Sequence, residues 1–420
     1  MRQPKPTQGD TAWFTHARFG LFIHWGLYAL PARHEWVQSF EEITPEVYRT
    51  YFERFNPDRY DPRQWARVAR EAGMRYVVVT TKHHEGFCLW DSQHTDYKIT
   101  NTPYGQDAIR PLVEAFRAEG LRVGFYYSLL DWHHPHFPID MYHPLRNHPD
   151  AAQINRGRDM SVYADYIQAQ ISELLTGFHP DILWCDFSYP DRDYQGLPGK
   201  GRADWRSEEL YALIRELQPD VILNDRLDLP PGHADVHTPE QVQPERWVEV
   251  DGEPVVWETC QTFSGSWGYH RDEMTWKSPG QLIRMLVNTV ACGGNLLMNV
   301  GPTARGTFDQ RALDALGVYR DWMALNSGAI YGCTQSTYPA PRDCRLTQPA
   351  DPADKRLFVH VFAWPFRHLH LYDLGKQVKY AQLLHDGSEI RFTQTDTKIT
   401  LDLPVREPDV IVPVIELTLD

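Results

Sequence analysis

Asp181-Ile-Leu-Trp-Cys-Asp186 is a short apolar run that ends on a carboxylate, and its reading decides the fold. Ile182 to Cys185 is of strand length, follows Pro180 and precedes the polar turn after Phe187. Apolar residues at successive positions suit a strand buried on both faces, as in a parallel sheet covered by helices. Asp186 then stands at the carboxyl end of that strand, the end that carries the chemistry in barrels of alternating strands and helices. An aspartate there can equally cap the next turn, so the other strand ends have to be compared.

Working outward, Phe19-Gly-Leu-Phe-Ile-His-Trp-Gly26 reads as a first strand ending on His24 and Trp25. Asp61-Pro-Arg-Gln64 is a helix start, with Asp at the N-cap, Pro at the first helical position and Gln at the third. Trp65, Val68, Ala69 and Ala72 follow with helical spacing, and Gly73 stops the helix. Tyr76 to Thr81 is a second strand delivering Lys82-His-His-Glu-Gly86, and a helix from Ile109 to Glu119 leads to Arg122-Val-Gly-Phe-Tyr-Tyr-Ser128. A helix carrying Tyr163, Ile167, Ile171, Leu174 and Leu175 precedes the Asp186 strand. Beyond it, Ser207 caps a helix with Leu210, Leu213, Ile214 and Leu217, and Val221 to Arg226 and Val255 to Cys260 read as strands. Ser278-Pro-Gly-Gln281 is a second capping box, Asn295 to Pro302 the last strand and Phe308 to Leu325 the last helix of the series.

Seven strands alternating with helices predict an α/β fold, a (β/α)8-like barrel of the TIM type. A doubly wound open sheet is the competitor, but no GxGxxG or Walker loop follows any strand. After about Ser336 short alternating strands take over: Arg356 to Phe362, Leu369 to Tyr372, Ala381 to His385, Glu389 to Phe392, Lys398 to Leu403 and Val410 to Ile415. Asp386-Gly387 is a hairpin turn between two of them. The expected organisation is a catalytic barrel over residues 1–335 and a C-terminal antiparallel β-sandwich over 336–420.

Across the 420 residues, 42 Lys and Arg stand against 56 Asp and Glu, a net charge of −14 that argues against a nucleic-acid partner. Met1 to Thr11 lacks an apolar core like that of a secretory signal, and no run reaches membrane-spanning length, so no membrane association is expected. Cys88, Cys185, Cys260, Cys292, Cys333 and Cys344 form no CxxC pair. Reduced thiols fit a cytoplasmic protein, or a secreted or periplasmic one whose leader has been removed. The 14 Trp and 21 Tyr supply flat surfaces of the kind that stack on sugar rings or fill large cores.

One face of the barrel would collect His24, His83, His84, Tyr127, Asp186, Asp225 with Arg226, Glu240 and Glu258. A lone strand-end histidine is usually structural, but here nearly every strand ends on polar chemistry. A metal hydrolase would use histidine and carboxylate ligands, yet adjacent His83 and His84 point to opposite faces of a strand, and at these strand ends no HxH or HExxH offers a preformed pair. A serine hydrolase would need a GxSxG elbow, which is absent. Glycoside hydrolysis needs two carboxyl groups flanking a sugar, an aromatic surface and donors to its hydroxyls, and this set supplies all three.

Nine motifs, in order between about residues 13 and 330, carry a resemblance: Phe22-Ile-His-Trp-Gly26, Glu35-Trp36, Lys82-His-His-Glu-Gly-Phe87, Leu183-Trp-Cys-Asp-Phe187, Asn224-Asp-Arg226, Thr238-Pro-Glu-Gln241, Trp257-Glu-Thr-Cys260, Ser266-Trp-Gly-Tyr269 and Asn295-Leu-Leu-Met-Asn-Val-Gly-Pro302. Together they resemble the α-L-fucosidases of glycoside hydrolase family 29. The resemblance implies a metal-independent and cofactor-free retaining exo-glycosidase that removes terminal α-L-fucose from fucosylated oligosaccharides or glycoconjugates by double displacement. It also implies an irregular barrel followed by a β-sandwich, and it leaves a homo-oligomer open. Its alternative is a fucose-binding protein that has lost catalysis.

By motif, Asp186 matches the family's nucleophile. His24, Glu35 with Trp36, and His83 with His84 match residues that hold fucose hydroxyls, and Tyr127 and Arg226 match further sugar contacts. Trp184 shares Asp186's strand face two residues earlier. Trp267 falls where the family sets an aromatic against the C5 methyl. Two residues are candidates for the acid/base: Glu240, in a loop able to close over the sugar, is preferred to Glu258, which ends a strand and would orient groups at the base of the site.

Overall fold

The computed structural model describes residues 3–420. Seven parallel strands form the N-terminal part: β1 Phe19–Ile23, β2 Tyr76–Lys82, β3 Arg122–Ser128, β4 Ile182–Asp186, β5 Ile222–Leu223, β6 Glu258–Thr262 and β7 Asn295–Val300. Their spatial order is β6-β7-β1-β2-β3-β4-β5. This is a (β/α)-type half-barrel followed by antiparallel sheets, as the alternation of elements predicts.

The helices begin where side chains can satisfy the free N–H groups of the first turn. Asp61 accepts from the Arg63 and Gln64 N–H groups ahead of Pro62–Glu71, and Ser278 and Gln281 form a reciprocal capping box ahead of Pro279–Ala291. One expected cap is displaced. Ser207 is the first residue of its helix, and Arg206, at φ 49°, takes the cap position.

Strand parity divides the side chains between two environments, because successive residues face opposite sides of a sheet. Phe22, Tyr76, Val78, Tyr126, Trp184 and Leu297 fill the space enclosed by the strands. Phe19, Val77, Phe125, Tyr127 and Leu183 pack outward against helices such as Met160–Phe178.

No eighth strand pairs along its length among the described residues. The gap between β5 and β6 is spanned by residues 235–241, which bridge both edges. Val236 pairs with Asn224, His237 with Trp257 and Glu240 with Cys260, all in parallel sense. Pro239 within this segment has no N–H to donate, which keeps it from forming a continuous ladder. The stretch expected to be a loop able to close over the pocket is therefore part of its wall.

Beyond the barrel, a five-stranded antiparallel sheet takes Cys333–Gln335, Cys344–Pro349, Arg356–Val361, Val414–Leu419 and Val378–Leu383 in that order. A three-stranded sheet takes His368–Tyr372, Lys398–Asp402 and Arg391–Gln394, and a separate apolar cluster lies between the two. The expected strand over Val410 to Ile415 starts later, at Val414, because Val412 adopts φ 48°. The Asp386-Gly387 turn is present, with Gly387 at φ 69° and a bridge from Gln382 to Glu389. Among the described residues no helix is long and apolar enough to cross a membrane. The six cysteines are free and buried.

Candidate active site

Asp186 is the last residue of β4 and only 7% exposed. Its Oδ2 accepts from the Tyr126 hydroxyl at 2.6 Å, and its Oδ1 accepts from Arg226 Nη1 at 3.0 Å. The same Nη1 donates to Glu240 Oε2 at 2.9 Å. Two carboxylate oxygens that share one nitrogen at those distances are at most about 6 Å apart, closer than the roughly 6.5–9.5 Å that separates the carboxyl groups of an inverting pair.

The two carboxylates differ in environment. Burial pushes Asp186 up to about 6, with Arg226 pulling down and Glu240 pushing further up. Glu240 sits on the wall segment with 42% of its side chain exposed. Burial opposes the charge on Arg226, but Asp186 and other neighbours, Glu240 among them, more than offset this and raise its pKa. Its guanidinium lies 4.7 Å above the Trp184 ring, and Trp184 stacks in turn on Tyr126 at 5.6 Å.

Three neutral histidines line the opposite side. His24 follows β1, and burial pushes it down to about 3. Asn299 donates to the Trp267 carbonyl at 2.6 Å, so its amide oxygen faces His24 Nδ1 at 2.7 Å. Nδ1 then carries the proton, and Nε2 is left as an acceptor for a hydroxyl. His84 is fixed in the same way: Ser128 donates to the Leu130 carbonyl, so its oxygen accepts from His84 Nδ1 at 2.7 Å. His84 Nε2 then faces Asp186 Oδ2 at 3.9 Å. Burial holds both His83 and His84 well below the ordinary histidine range, with the neighbouring histidines acting in the same direction and Lys82 adding to it at His84. His83 and His84 lie just past the end of β2 with ring centroids 4.0 Å apart, so strand alternation does not separate them as the sequence suggested.

Glu35 is almost wholly buried, and one of its oxygens accepts from the Gly268 N–H at 2.8 Å and the Trp267 N–H at 3.1 Å. A side chain at residue 268 would meet the Glu35 Cβ at 3.0 Å, so glycine permits that approach. The other oxygen, Oε1, makes no hydrogen bond among the described residues, and His34 Nδ1 stands 3.4 Å from it. Trp36 packs on His84 at 4.8 Å and on Phe187 at 5.4 Å, and Trp267 lies 5.1 Å from His24.

Two expected site residues are placed differently from the rest. Tyr127 faces the helices, donating to Gln170 at 2.8 Å with Lys82 over its ring. The residue of that strand in the site is Tyr126, which pairs in register with Trp184 and shares its face. Glu258 is the first residue of β6, not the last, so it lies at the opposite end of the sheet from Asp186. It bonds the Tyr76 hydroxyl at the start of β2 and interacts with the Trp184 side chain below the pocket, and burial pushes it up to about 8, which leaves it protonated at neutral pH. Asn299 went unassigned although it lies within a quoted motif, because its role is to orient His24.

Tyr126→Phe is expected to lower kcat/KM by about 10- to 100-fold, the worth of a hydrogen bond to a charged group. Tyr127→Phe is expected to leave kcat/KM near wild type and to cost about 1–3 kcal/mol of stability through the unpaired Gln170 oxygen. Parallel kinetics and thermal melts of the two variants check both.

A family model for α-L-fucosidases matches residues 3–328. The chain is 30% identical over 357 residues to an α-L-fucosidase of Dictyostelium discoideum, covering 76% of this chain and 71% of that protein. Among solved structures it is similar to α-L-fucosidase isoenzyme 1 from Paenibacillus thiaminolyticus, with 44% identity, 98% of each chain covered and a TM-score of 0.91. It is also similar to a family 29 α-L-fucosidase of Bacteroides thetaiotaomicron, trapped as a covalent intermediate with 2-fluoro-fucosyl fluoride in a glutamate-to-glutamine variant. There the identity is 27%, the coverage 100% of this chain and 98% of that one, and the TM-score 0.84.

Proposed function

Since the chain belongs to the α-L-fucosidases of glycoside hydrolase family 29, retaining enzymes that hydrolyse α-L-fucosides, we propose that Asp186 is its nucleophile and Glu240 its acid/base. The observation that carries this assignment is the single Arg226 nitrogen between the two carboxylates. An Asp186 oxygen attacks C1 from the face opposite the leaving oxygen, the glycosidic C–O bond breaks, and Glu240 gives its proton to the departing alcohol. The product of this half is a fucosyl ester on Asp186. Glu240, now a carboxylate, takes a proton from water while the water oxygen attacks C1, and Asp186 leaves. The natural leaving group is the rest of a fucosylated glycan.

Around the sugar, His24 Nε2 and Glu35 Oε1 supply acceptors, His83 and His84 extend that side, and Trp36 and Trp267 supply apolar walls. Trp184 supports Arg226 from beneath. Tyr126 and Arg226 hold Asp186 ionised and aimed. The six buried thiols fit a reducing, cytoplasmic setting. Both carboxylates are in place, so nothing in the geometry favours the non-catalytic alternative.

Hydrolysis of an aryl α-L-fucoside followed by proton NMR tests the reaction: α-L-fucose forms first, and a first-formed β anomer would overturn the assignment. The acidic limb adds a second check. The nucleophile must be ionised, and burial raises Asp186 to about 6 in the free enzyme. The quantity kcat/KM, which reports the free enzyme, is therefore expected to fall tenfold per pH unit below about 6. A limb near the ordinary aspartate value of about 4 would contradict it.

A further inference from the structure

The hydrogen bonds of Arg226 show what aims it. Nε donates to Thr238 Oγ1 at 3.1 Å and Nη2 to the Thr238 carbonyl at 3.1 Å, leaving Nη1 for Asp186 and Glu240. Thr238 has one hydroxyl hydrogen, and Asp225 takes it: Thr238 Oγ1 donates to Asp225 Oδ1 at 2.6 Å, and the Thr238 N–H reaches the same oxygen at 3.2 Å. With its hydrogen committed to Asp225, the Thr238 oxygen can only accept from Arg226. His237 Nδ1 stands 3.3 Å from the other Asp225 oxygen. Asp225 and Arg226 follow β5 while Thr238 and Glu240 lie on the wall segment, so the Asp225–Thr238 contact ties nucleophile and acid/base to one frame. On the far side, Gln241 fastens the segment to β6 through the Cys260 carbonyl and the Thr262 hydroxyl.

We infer that Thr238 and Asp225 are positioning residues for the carboxylate pair: the directed chain Thr238 to Asp225 locks one edge of Arg226 so that its Nη1 divides its charge between Asp186 and Glu240. This rests on the reading of Asp186 and Glu240 given above. Thr238 touches neither carboxylate through its own side chain, so its effect must pass through Arg226.

Asp186 is the reporter. It is faced by the Tyr126 hydroxyl from β3, His84 from the end of β2, Arg226 from the end of β5, Glu240 from the wall segment and the Cys260 thiol from β6. Tyr126 and Cys260 are held un-ionised by burial and His84 is held neutral, so Arg226 is the one cation in this set. Loosening Arg226 must therefore move the acidic limb upward, toward the value burial alone would impose.

The test compares Thr238→Val, which keeps the shape and removes the hydroxyl, with Thr238→Ser, which restores it. Thr238→Val is expected to lower kcat/KM for an aryl fucoside by about 10- to 100-fold, as loss of an orienting partner does elsewhere. It should also shift the acidic limb upward by about one pH unit. Thr238→Ser should return both quantities most of the way to wild type. If Thr238→Val does not fold, Asp225→Asn carries the test, since it weakens the acceptor without changing its outline and should shift the limb in the same direction. A loss of activity with an unmoved limb, or a serine variant as impaired as the valine one, overturns the inference. Labelling the wild type with 2-fluoro-fucosyl fluoride and mapping the modified peptide separates the two levels. A label off Asp186 defeats the catalytic assignment itself, whereas a label on Asp186 with an unmoved limb defeats only the role of Thr238.

Discussion

Asp186→Gly is expected to lose fucoside hydrolysis by about 10⁴-fold or more, which at 1.4 kcal/mol per factor of ten is about 5–6 kcal/mol of barrier. The glycine leaves a space on the face of C1 opposite the leaving group, still bordered by the Arg226 cation and the Tyr126 hydroxyl. Azide fits that space, and with an aryl fucoside whose leaving group departs readily it should restore turnover. Because azide enters from the nucleophile's side in a single displacement, the product should be β-fucosyl azide. Substantial hydrolysis without azide, or an α-azide, would show that Asp186 is not the nucleophile.

A stability control accompanies this experiment. The Asp186 pKa is raised on folding, so its ionisation is costly in the folded state: the cost is absent below the unfolded value near 4 and fully present above about 6. Asp186→Asn should therefore melt no lower than wild type at pH 7–8, which separates lost chemistry from lost fold.

The second large effect is at Glu240. A general acid contributes about 10²- to 10⁴-fold when the departing group needs a proton and little when it does not. Glu240→Ala should lose that much on fucosylated glycans, whose leaving alcohols are poor, and remain within about tenfold of wild type for the first half-reaction on dinitrophenyl fucosides. The second half-reaction then lacks its base, so the fucosyl ester accumulates. Azide, which needs no base, should accelerate its breakdown and yield α-fucosyl azide by attack opposite Asp186. Glu258→Gln serves as the comparison, for it lies at the far end of β6 beneath Tyr76 and is protonated at neutral pH. It should show no such dependence on the leaving group. If the dependence appears at 258 and not at 240, the assignment is reversed.

Much of the barrel was legible because its signals are local. Asp61 and Ser278 cap their helices as their neighbours imply, and Asp186 ends its strand where the apolar run stops. What could not be read is geometry that depends on pairing. Tyr126 and Tyr127 differ only in parity, and the register that sets Tyr126 beside Trp184 is a property of two strands together. That signal was present all the same, since Trp184 lies two residues before Asp186 and its partner on β3 must share its face. The start of β6 was misplaced by three residues because Val255-Val-Trp257 is apolar for packing without being in the strand, and that shift moved Glu258 from the strand's end to its beginning. The wall segment has no periodic pattern, so its bridging of both sheet edges was invisible in advance.

The two carboxylates are anchored in very different ways. Asp186 is set in a strand paired along one neighbour and at its base along the other, so any change in length there would shift every residue of the strand relative to the sheet. Glu240 rides on a segment held by scattered bridges and a few side-chain bonds, with no helix following it before β6. Surface loops run into both of its ends, and such loops absorb extra or missing residues at little cost. The acid/base can thus sit at a different distance along the chain from the nucleophile while keeping its place in space. A substrate-specific insertion grafted on either side of residues 235–241 would land beside the leaving group, which makes this wall the place to redesign which fucosylated partner the enzyme accepts while leaving the fucose pocket untouched.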